Sequence, residues 1–228
     1  MKTLFAVLAM LLVAGVAAAA VGPIIDWDPA YTYEAGATPT NSIAGSEFHM
    51  VGIISQWGDA LSDINDPSKE FTFYAHGLIS QGTTASGPPS MTFYDTPYIS
   101  GTIEIYEDNT FNASFAPNPP NAVVPANFQD GTLLLSGSFT SFDVQSNNFT
   151  AFDTGNIEGN INWTGGTLLS RMQTAGGIPC PGLLTGGSTW NPSVMIPGYV
   201  FRHTGKIDLQ CPTPTRSSTW GQIKALYR

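Results

Sequence analysis

Charged side chains are scarce in this chain, and basic ones are the scarcest. Lysine and arginine together number 8, against 17 aspartates and glutamates, and charged residues make up 11% of the 228 positions. A protein with a formal net charge of −9 is repelled by nucleic acid and by anionic membrane surfaces, because both carry dense negative charge. The composition therefore argues against nucleic acid as a partner.

Long apolar runs are absent after the first twenty residues. The N-terminal segment MKTLFAVLAMLLVAGVAAAA opens with Lys2, continues through an apolar stretch and ends in small residues. This order is typical of a secretory signal peptide, and the run is too short for a transmembrane helix. We therefore expect residues 1–20 to be removed on export and residues 21–228 to form a secreted protein, periplasmic or extracellular, without a membrane span. A retained N-terminal membrane helix is the alternative.

Cysteine is nearly absent, since Cys180 and Cys211 are the only two. An isolated pair in an exported chain most often forms a disulfide, and the spacing of this pair fits no zinc-binding pattern. The sequence therefore predicts a Cys180–Cys211 disulfide that closes a loop of about thirty residues and stabilises the fold by about 3–4 kcal/mol. Two free thiols or a metal-binding pair are the alternatives.

Motifs of the common enzyme classes are also missing. The chain contains neither an H-E-x-x-H metal site nor a G-x-S-x-G nucleophile elbow. Its histidines, His49, His76 and His203, fall on three different predicted strands. Glu104 and Glu158, on the polar faces of predicted strands, are the pair to examine for glycoside hydrolysis, which requires two facing carboxyl groups. No catalytic residue is assigned, and the sequence favours a protein that is not an enzyme.

Short runs of alternating apolar and polar residues, bounded by Gly, Pro, Asn and Asp, recur along the rest of the chain. In the run 71–76, Phe71 and Phe73 alternate with Thr72 and Tyr74, which is the period of a half-buried β-strand. The same alternation turns Ile207, Leu209 and Cys211 to one side, and in the segment 156–164 it turns Ile157, Gly159, Ile161 and Trp163 inward. Such runs predict ten strands: 48–57, 70–80, 98–106, 110–115, 131–144, 148–152, 156–164, 199–203, 206–211 and 219–227.

These strands and their connections predict one all-β domain over residues 21–228. Hairpin turns are expected at 107–110 and at 146–147, where turn-prone residues separate alternating runs. The longer Gly- and Pro-rich segments, 82–90, 116–130 and 176–197, are expected to be surface loops. An antiparallel β-sandwich of jelly-roll or Ig-like type is the expected architecture, and a closed β-barrel is the alternative, because the sequence does not determine strand order.

Charge is distributed unevenly between the two parts of the chain. From residue 21 to 170, Lys69 is the only basic residue among sixteen acids, whereas residues 171–228 contain six basic residues and Asp208 as the only acid. In one interpretation, the basic C-terminal part packs on the acidic body within one fold. In the other, it docks on the body of the next molecule, and such a head-to-tail contact builds fibres or sheets.

An acidic segment between the first two predicted strands is a candidate calcium site. Its hard oxygen ligands, which calcium prefers, fall within twelve positions. The segment is not an EF-hand, because the mid-loop glycine is absent. The candidate calcium ligands are Asp59, Asp63, Asn65, Asp66 and Glu70.

Two aromatic residues are candidates for ligand binding. Trp190 lies in the loop sequence GGSTWNPS, and Tyr199 follows in the same part of the chain. Flat aromatic rings stack on sugars, although most aromatic side chains of an all-β domain fill its core. The sequence therefore predicts a structural, adhesive or surface-matrix role, including self-association. The alternative is a ligand-binding module for carbohydrate or for a small apolar molecule.

Overall fold

A computed structural model describes residues 21–115, 125–149, 152–174 and 177–211. Strands dominate these ranges, which confirms the all-β prediction. Three short 3₁₀ helices, Asp59–Ile64, Ala126–Phe128 and Leu169–Met172, lie in the connections, and no helix in these ranges is long and apolar enough to cross a membrane. The strands are β1 Val21–Glu34, β2 Glu47–Trp57, β3 Glu70–Ser80, β4 Thr84–Ser86, β5 Met91–Asp108, β6 Thr132–Phe149, β7 Phe152–Gly165, β8 Gly182–Thr189 and β9 Phe201–Gln210.

Eight of these strands close into an antiparallel barrel. The order around the sheet is β3-β2-β1-β9-β8-β7-β6-β5, and β5 pairs again with β3 through a register that runs from Glu70↔Asp108 to Ser80↔Tyr98. Strand β4 is added to the part of β5 that extends past β3. The closed barrel is therefore the architecture, and the sandwich is not formed, because one continuous sheet joins its own edges.

The barrel interior is packed with aromatic and aliphatic side chains. Four large rings each lie opposite a glycine on the neighbouring strand, which provides the volume that the ring occupies. A β-carbon on Gly52 would lie 2.3 Å from the ring of Phe73, and one on Gly205 would lie 2.6 Å from Trp27. The four pairs are Trp27–Gly205, Phe73–Gly52, Phe142–Gly159 and Trp163–Gly137.

The inward orientation of alternate side chains is confirmed, but β3 is not half-buried, because Thr72 and Tyr74 on its other face are buried too. Phe71 and Phe73 are buried in the interior, as are Ile157, Ile161 and Trp163. Three strands were not predicted from the sequence. They are β1, which contains two prolines, the short β4 in the expected loop 82–90, and β8 in the expected loop 176–197, whose GLLTGGST sequence has little alternation. Register shifts next to the prolines allow β1 to pair on both sides in spite of them.

Two hairpin predictions are wrong. Residues 111–115 form no strand, so that the expected hairpin at 107–110 is absent. Strand β6 continues without a break through 146–147 to Phe149, and its partner β7 begins at Phe152. The predicted strand 219–227 lies outside the described residues.

The two cysteines lie at the end of the barrel where β9 finishes, opposite the end where β9 begins at Phe201. Their sulfur atoms are at bonding distance and their Cα atoms are 4.4 Å apart, so that the predicted Cys180–Cys211 disulfide is confirmed. Cys180 is buried, and Cys211 packs against the core directly after β9. The bridge thus joins the end of β9 to the segment that enters β8.

Basic residues of the C-terminal part form ion pairs within the molecule. In the described ranges of that part, each lysine or arginine contacts a carboxylate of the same chain. Arg171 and Arg202 pair with the acidic body, as the first interpretation of the charge distribution expects, whereas Lys206 pairs within the C-terminal part. Arg216, Lys224 and Arg228 lie outside these ranges. The pairs are Arg171 with Asp63, Arg202 with Asp28, and Lys206 with Asp208.

Candidate functional site

A groove of about 990 Å³ opens at one end of the barrel, between the β1–β2 connection and the β8–β9 connection. We call it the Trp190 groove. One wall is formed by residues 34–39 and 46–47, the other by Trp190, Pro192 and residues 195–200, and Tyr33 and His49 lie between them. The two walls are neighbours because β1 pairs with both β2 and β9.

The first wall is held by one buried carboxylate. Glu34 ends β1 with 7% of its surface exposed, and its Oε1 accepts hydrogen bonds from the hydroxyls of Ser42 and Ser46. Its Oε2 accepts a hydrogen bond of 2.8 Å from the Tyr98 hydroxyl. Three donors compensate for the desolvation of the carboxylate, and two of them fix the β1–β2 connection.

The second wall is held by backbone and ring contacts. The Val200 N–H donates to the Thr32 carbonyl at 2.7 Å, which continues the pairing of β1 and β9 into the connection. The Trp190 ring packs edge-on against Phe201, with centroids 5.7 Å apart. The Tyr199 hydroxyl donates to a backbone carbonyl at 3.1 Å in the 111–115 segment. These contacts fix Trp190 and Tyr199 at the groove.

Stacked rings form the base of the groove. The Tyr33 and His49 rings are 4.6 Å apart and nearly parallel, and His49 Nδ1 lies 2.8 Å from the Tyr74 hydroxyl. Burial lowers the pKa of His49, so its imidazole is neutral at pH 7. Glu47 is the exposed acid of the lining, and no lysine or arginine is among the lining residues. The groove is thus apolar with a negative rim.

Both aromatic residues selected from the sequence line this groove. Trp190 is partly exposed, whereas Tyr199 retains 8% of its surface exposed and contributes mainly to the wall. The sequence did not indicate Tyr33, Glu47 or His49, because they become neighbours of Trp190 only through the strand order. Ligand binding by Trp190 and Tyr199 stays a prediction.

The candidate calcium ligands have separate partners. Asp63 forms two hydrogen bonds with Arg171, at 2.6 and 2.9 Å, and these bonds lower the pKa of the Asp63 carboxyl. Asp66 accepts hydrogen bonds from the N–H and the hydroxyl of Ser68, at 2.9 and 2.7 Å. Both carboxylates therefore already bind donors of the protein.

The remaining candidate ligands have other positions or partners, and calcium binding by this segment stays a prediction. Glu70 is buried, and its Oε2 accepts the N–H groups of Asn112 at 3.1 Å and Ala113 at 2.9 Å. Asn65 directly follows the 3₁₀ helix Asp59–Ile64, and the side chain of Asp59 lies outside the described part. Across the ranges that the structure describes, no three His, Cys, Asp or Glu side chains are grouped to hold a metal ion.

The two glutamates considered for glycoside hydrolysis do not face each other. Glu104 pairs with Ser136 on β6, and Glu158 pairs with Asp143 on the same strand. Seven residues of strand separate these positions by roughly 23 Å, whereas glycosidase carboxyl groups lie within about 10 Å of each other. Glu104 instead accepts a hydrogen bond of 2.9 Å from the Tyr106 hydroxyl.

A serine and a histidine form a hydrogen-bonded pair of the kind that serine hydrolases use, but this pair is buried inside the barrel. Ser188 Oγ lies 2.8 Å from Nδ1 of His203, which has no exposed surface, and Thr32 is the neighbour of Nε2. Burial lowers the pKa of His203 to about 3. A nucleophile at this position has no access to substrate, so the pair is structural.

Comparison of the chain with known protein families, with curated proteins and with solved structures found no match. The Trp190 groove is therefore interpreted from its own geometry and chemistry.

Proposed function

We propose that this protein is an exported, non-catalytic binding module and that the Trp190 groove is its binding site. The observation that supports this proposal is the contrast between the packed barrel interior and the open groove at one of its ends. Ligand sites are typically concave and mostly apolar, with a few polar groups that orient the ligand. The groove has these properties, with Trp190 as the accessible ring and Glu47 as the polar group.

The chemistry of the lining restricts the ligand. An anionic ligand is disfavoured, because the charged side chains at the groove are Glu34 and Glu47. A neutral or cationic ligand with an apolar face fits the aromatic and proline side chains of the walls. This class includes carbohydrates and small apolar molecules, which would bind in the groove and not inside the barrel.

Export is part of the proposal. The segment 1–20 has the composition of a secretory signal, although it lies outside the described residues. The Cys180–Cys211 disulfide adds support, because such bonds persist in oxidising compartments and are rare in the cytosol.

A structural or adhesive role is the second candidate, and strand β4 favours it. Thr84, Ala85 and Ser86 are all exposed, and within the described ranges β4 pairs on one side only, with β5. An open strand edge offers backbone groups to a strand of another molecule. Binding in the groove and structural association are compatible functions.

Titration of the purified mature chain with neutral probes tests the groove. The probes are cellotetraose, chitotetraose and the apolar dye Nile red, with calorimetry and dye fluorescence as readouts. We expect Trp190→Ala to weaken binding by about tenfold or more, which corresponds to a loss of at least about 1.4 kcal/mol. Ile99→Ala, which removes an exposed side chain from β5, is the control and should bind as the wild type does. Absence of binding by every probe, or equal affinity in Trp190→Ala, would overturn the proposal.

A further inference from the structure

We infer that the partner of the Trp190 groove is residues 212–216 of a second copy of this chain, so that molecules associate head to tail. This inference rests on the binding function proposed above for the groove. It follows from the chemistry of the groove, from the sequence after Cys211 and from the length of β9.

The groove has the chemistry of a site for a proline-rich peptide. Its walls contain Pro192, Pro197 and the rings of Trp190 and Tyr199. Glu47 stands at the rim beside His49, and the lining contains no lysine or arginine. Grooves lined by aromatic side chains bind proline-rich segments in the polyproline conformation, because such segments lose little entropy on binding. The Glu47 carboxylate adds a preference for a segment that carries a cation.

The chain itself contains a segment of this kind. Residues 212–216 read Pro-Thr-Pro-Thr-Arg, with two prolines at alternate positions followed by Arg216. Each proline fixes its own φ near about −65° and disfavours helix at the residue before it, so the sequence favours an extended conformation. The charge of Arg216 is complementary to Glu47, and the acidic body as a whole attracts it.

The segment cannot reach the groove of its own molecule. Strand β9 begins at Phe201 beside the groove and ends at Gln210, which pairs with Val21 at the opposite end of the barrel. Its length is about 30 Å at a rise of about 3.3 Å per residue. Five residues extend to about 18 Å at most, and the disulfide holds Cys211 at the far end.

The contact is therefore between different molecules and joins two different surfaces. A heterologous contact leaves a free groove at one end of each pair and a free segment at the other, so association continues into open chains unless the rotation closes a ring. The inference gives the uneven charge distribution a function, because Glu47 lies in the acidic part of the chain and Arg216 in the basic part.

A charge exchange between the two surfaces tests the inference. Light scattering would measure the weight-average mass of the mature, disulfide-bonded chain as a function of protein concentration. For the wild type, we expect the mass to rise with concentration at about 20 mM salt and to fall towards that of the monomer at about 500 mM salt. Glu47→Arg and Arg216→Glu should each remain monomeric, because each places like charges at the contact.

Mixing the two variants provides the decisive comparison. An equimolar mixture of Glu47→Arg and Arg216→Glu restores opposite charges at every contact, so the mass should rise again with concentration. Recovery would also show that both variants fold. Lys224→Gln, which removes a charge outside the 212–216 segment, is the control and should associate as the wild type does.

Several outcomes would overturn the inference. A wild-type monomer at every salt and protein concentration would do so, as would a mixture of variants that stays monomeric, or assembly that Glu47→Arg leaves intact. If the protein is monomeric while Nile red or an oligosaccharide still binds in a Trp190-dependent manner, the head-to-tail contact is wrong and the binding function of the groove stands. If Trp190-dependent binding is absent as well, both are wrong.

Discussion

Lowering the pH from 7 to 5 should destabilise the barrel through His203. This residue lies on β9 with its ring in the interior, 2.8 Å from the Ser188 hydroxyl and without exposed surface. Protonation would place a charge in this environment without a carboxylate to balance it. Burial consequently lowers the pKa of His203 from the ordinary value of 6.5 to about 3 in the folded protein.

The sign of the effect follows from the protons bound in each state. Between about pH 6.5 and about pH 3, the unfolded chain binds a proton at His203 and the folded chain does not, so the free energy of unfolding falls as the pH falls. From pH 7 to pH 5 the loss from this residue amounts to about 2 kcal/mol. Burial also lowers the pKa of His49, which adds a loss of the same sign.

Urea unfolding at pH 7 and pH 5, followed by tryptophan fluorescence, measures this loss. His203→Gln should reduce the difference in unfolding free energy between the two pH values by about 2 kcal/mol, because glutamine does not titrate. His76→Gln removes an imidazole from the outer face and keeps His203, so it should retain the loss towards pH 5. An equal pH dependence in the wild type and in His203→Gln would refute the reasoning.

Three further predictions concern the packing and the walls of the groove. Gly52→Ala should lower the free energy of unfolding by about 1–3 kcal/mol, because its β-carbon would overlap the Phe73 ring. The control is Gly22→Ala, whose β-carbon meets no atom within 4 Å and which should be near neutral in the same urea assay. Reduction of the disulfide, with its 31-residue separation, should lower that free energy by about 4 kcal/mol, and an unchanged urea midpoint after reduction would contradict this. Glu34→Ala should cost about 1–3 kcal/mol, because it removes the acceptor of the buried Tyr98 hydroxyl. It should also weaken Nile red binding, since Glu34 fixes one wall of the groove through Ser42 and Ser46, and unchanged affinity would show that the wall is held by other contacts.

The fold could be predicted from the sequence where its determinants are local. The alternation in the 71–76 and 156–164 segments depends on neighbouring residues alone, so the inward-facing side chains were identified correctly. Closure of the barrel depends on the pairing of β3 with β5, which are separated in the chain by β4. No local sequence pattern encodes this pairing. Strand β1 was missed because Pro23 and Pro29 argue against a strand, and the bulges that accommodate them are visible only in the register.

The candidate site could be predicted only in part, for a related reason. The sequence indicates Trp190 as a candidate binding residue because its Gly- and Pro-rich surroundings favour an exposed loop. Residues of this loop do form a wall of the groove. Glu47 and His49 lie more than 140 positions earlier in the chain, and only the β2-β1-β9 order brings them close to it. In the candidate calcium segment, no local feature indicates that Arg171, far along the chain, forms an ion pair with Asp63.

The most direct test of the Trp190 groove as the binding surface is a two-dimensional NMR titration of the tryptophan indole N–H signals. The mature chain would be titrated with a synthetic Pro-Thr-Pro-Thr-Arg peptide and, separately, with cellotetraose, and Trp190→Phe would assign the relevant signal. We expect at least one probe to shift the Trp190 signal, whereas the signals of Trp27, Trp57 and Trp163, which are buried in the core, stay in place. A Trp190 signal that neither probe moves, or a shift of the buried tryptophans alone, would contradict the assignment of the groove.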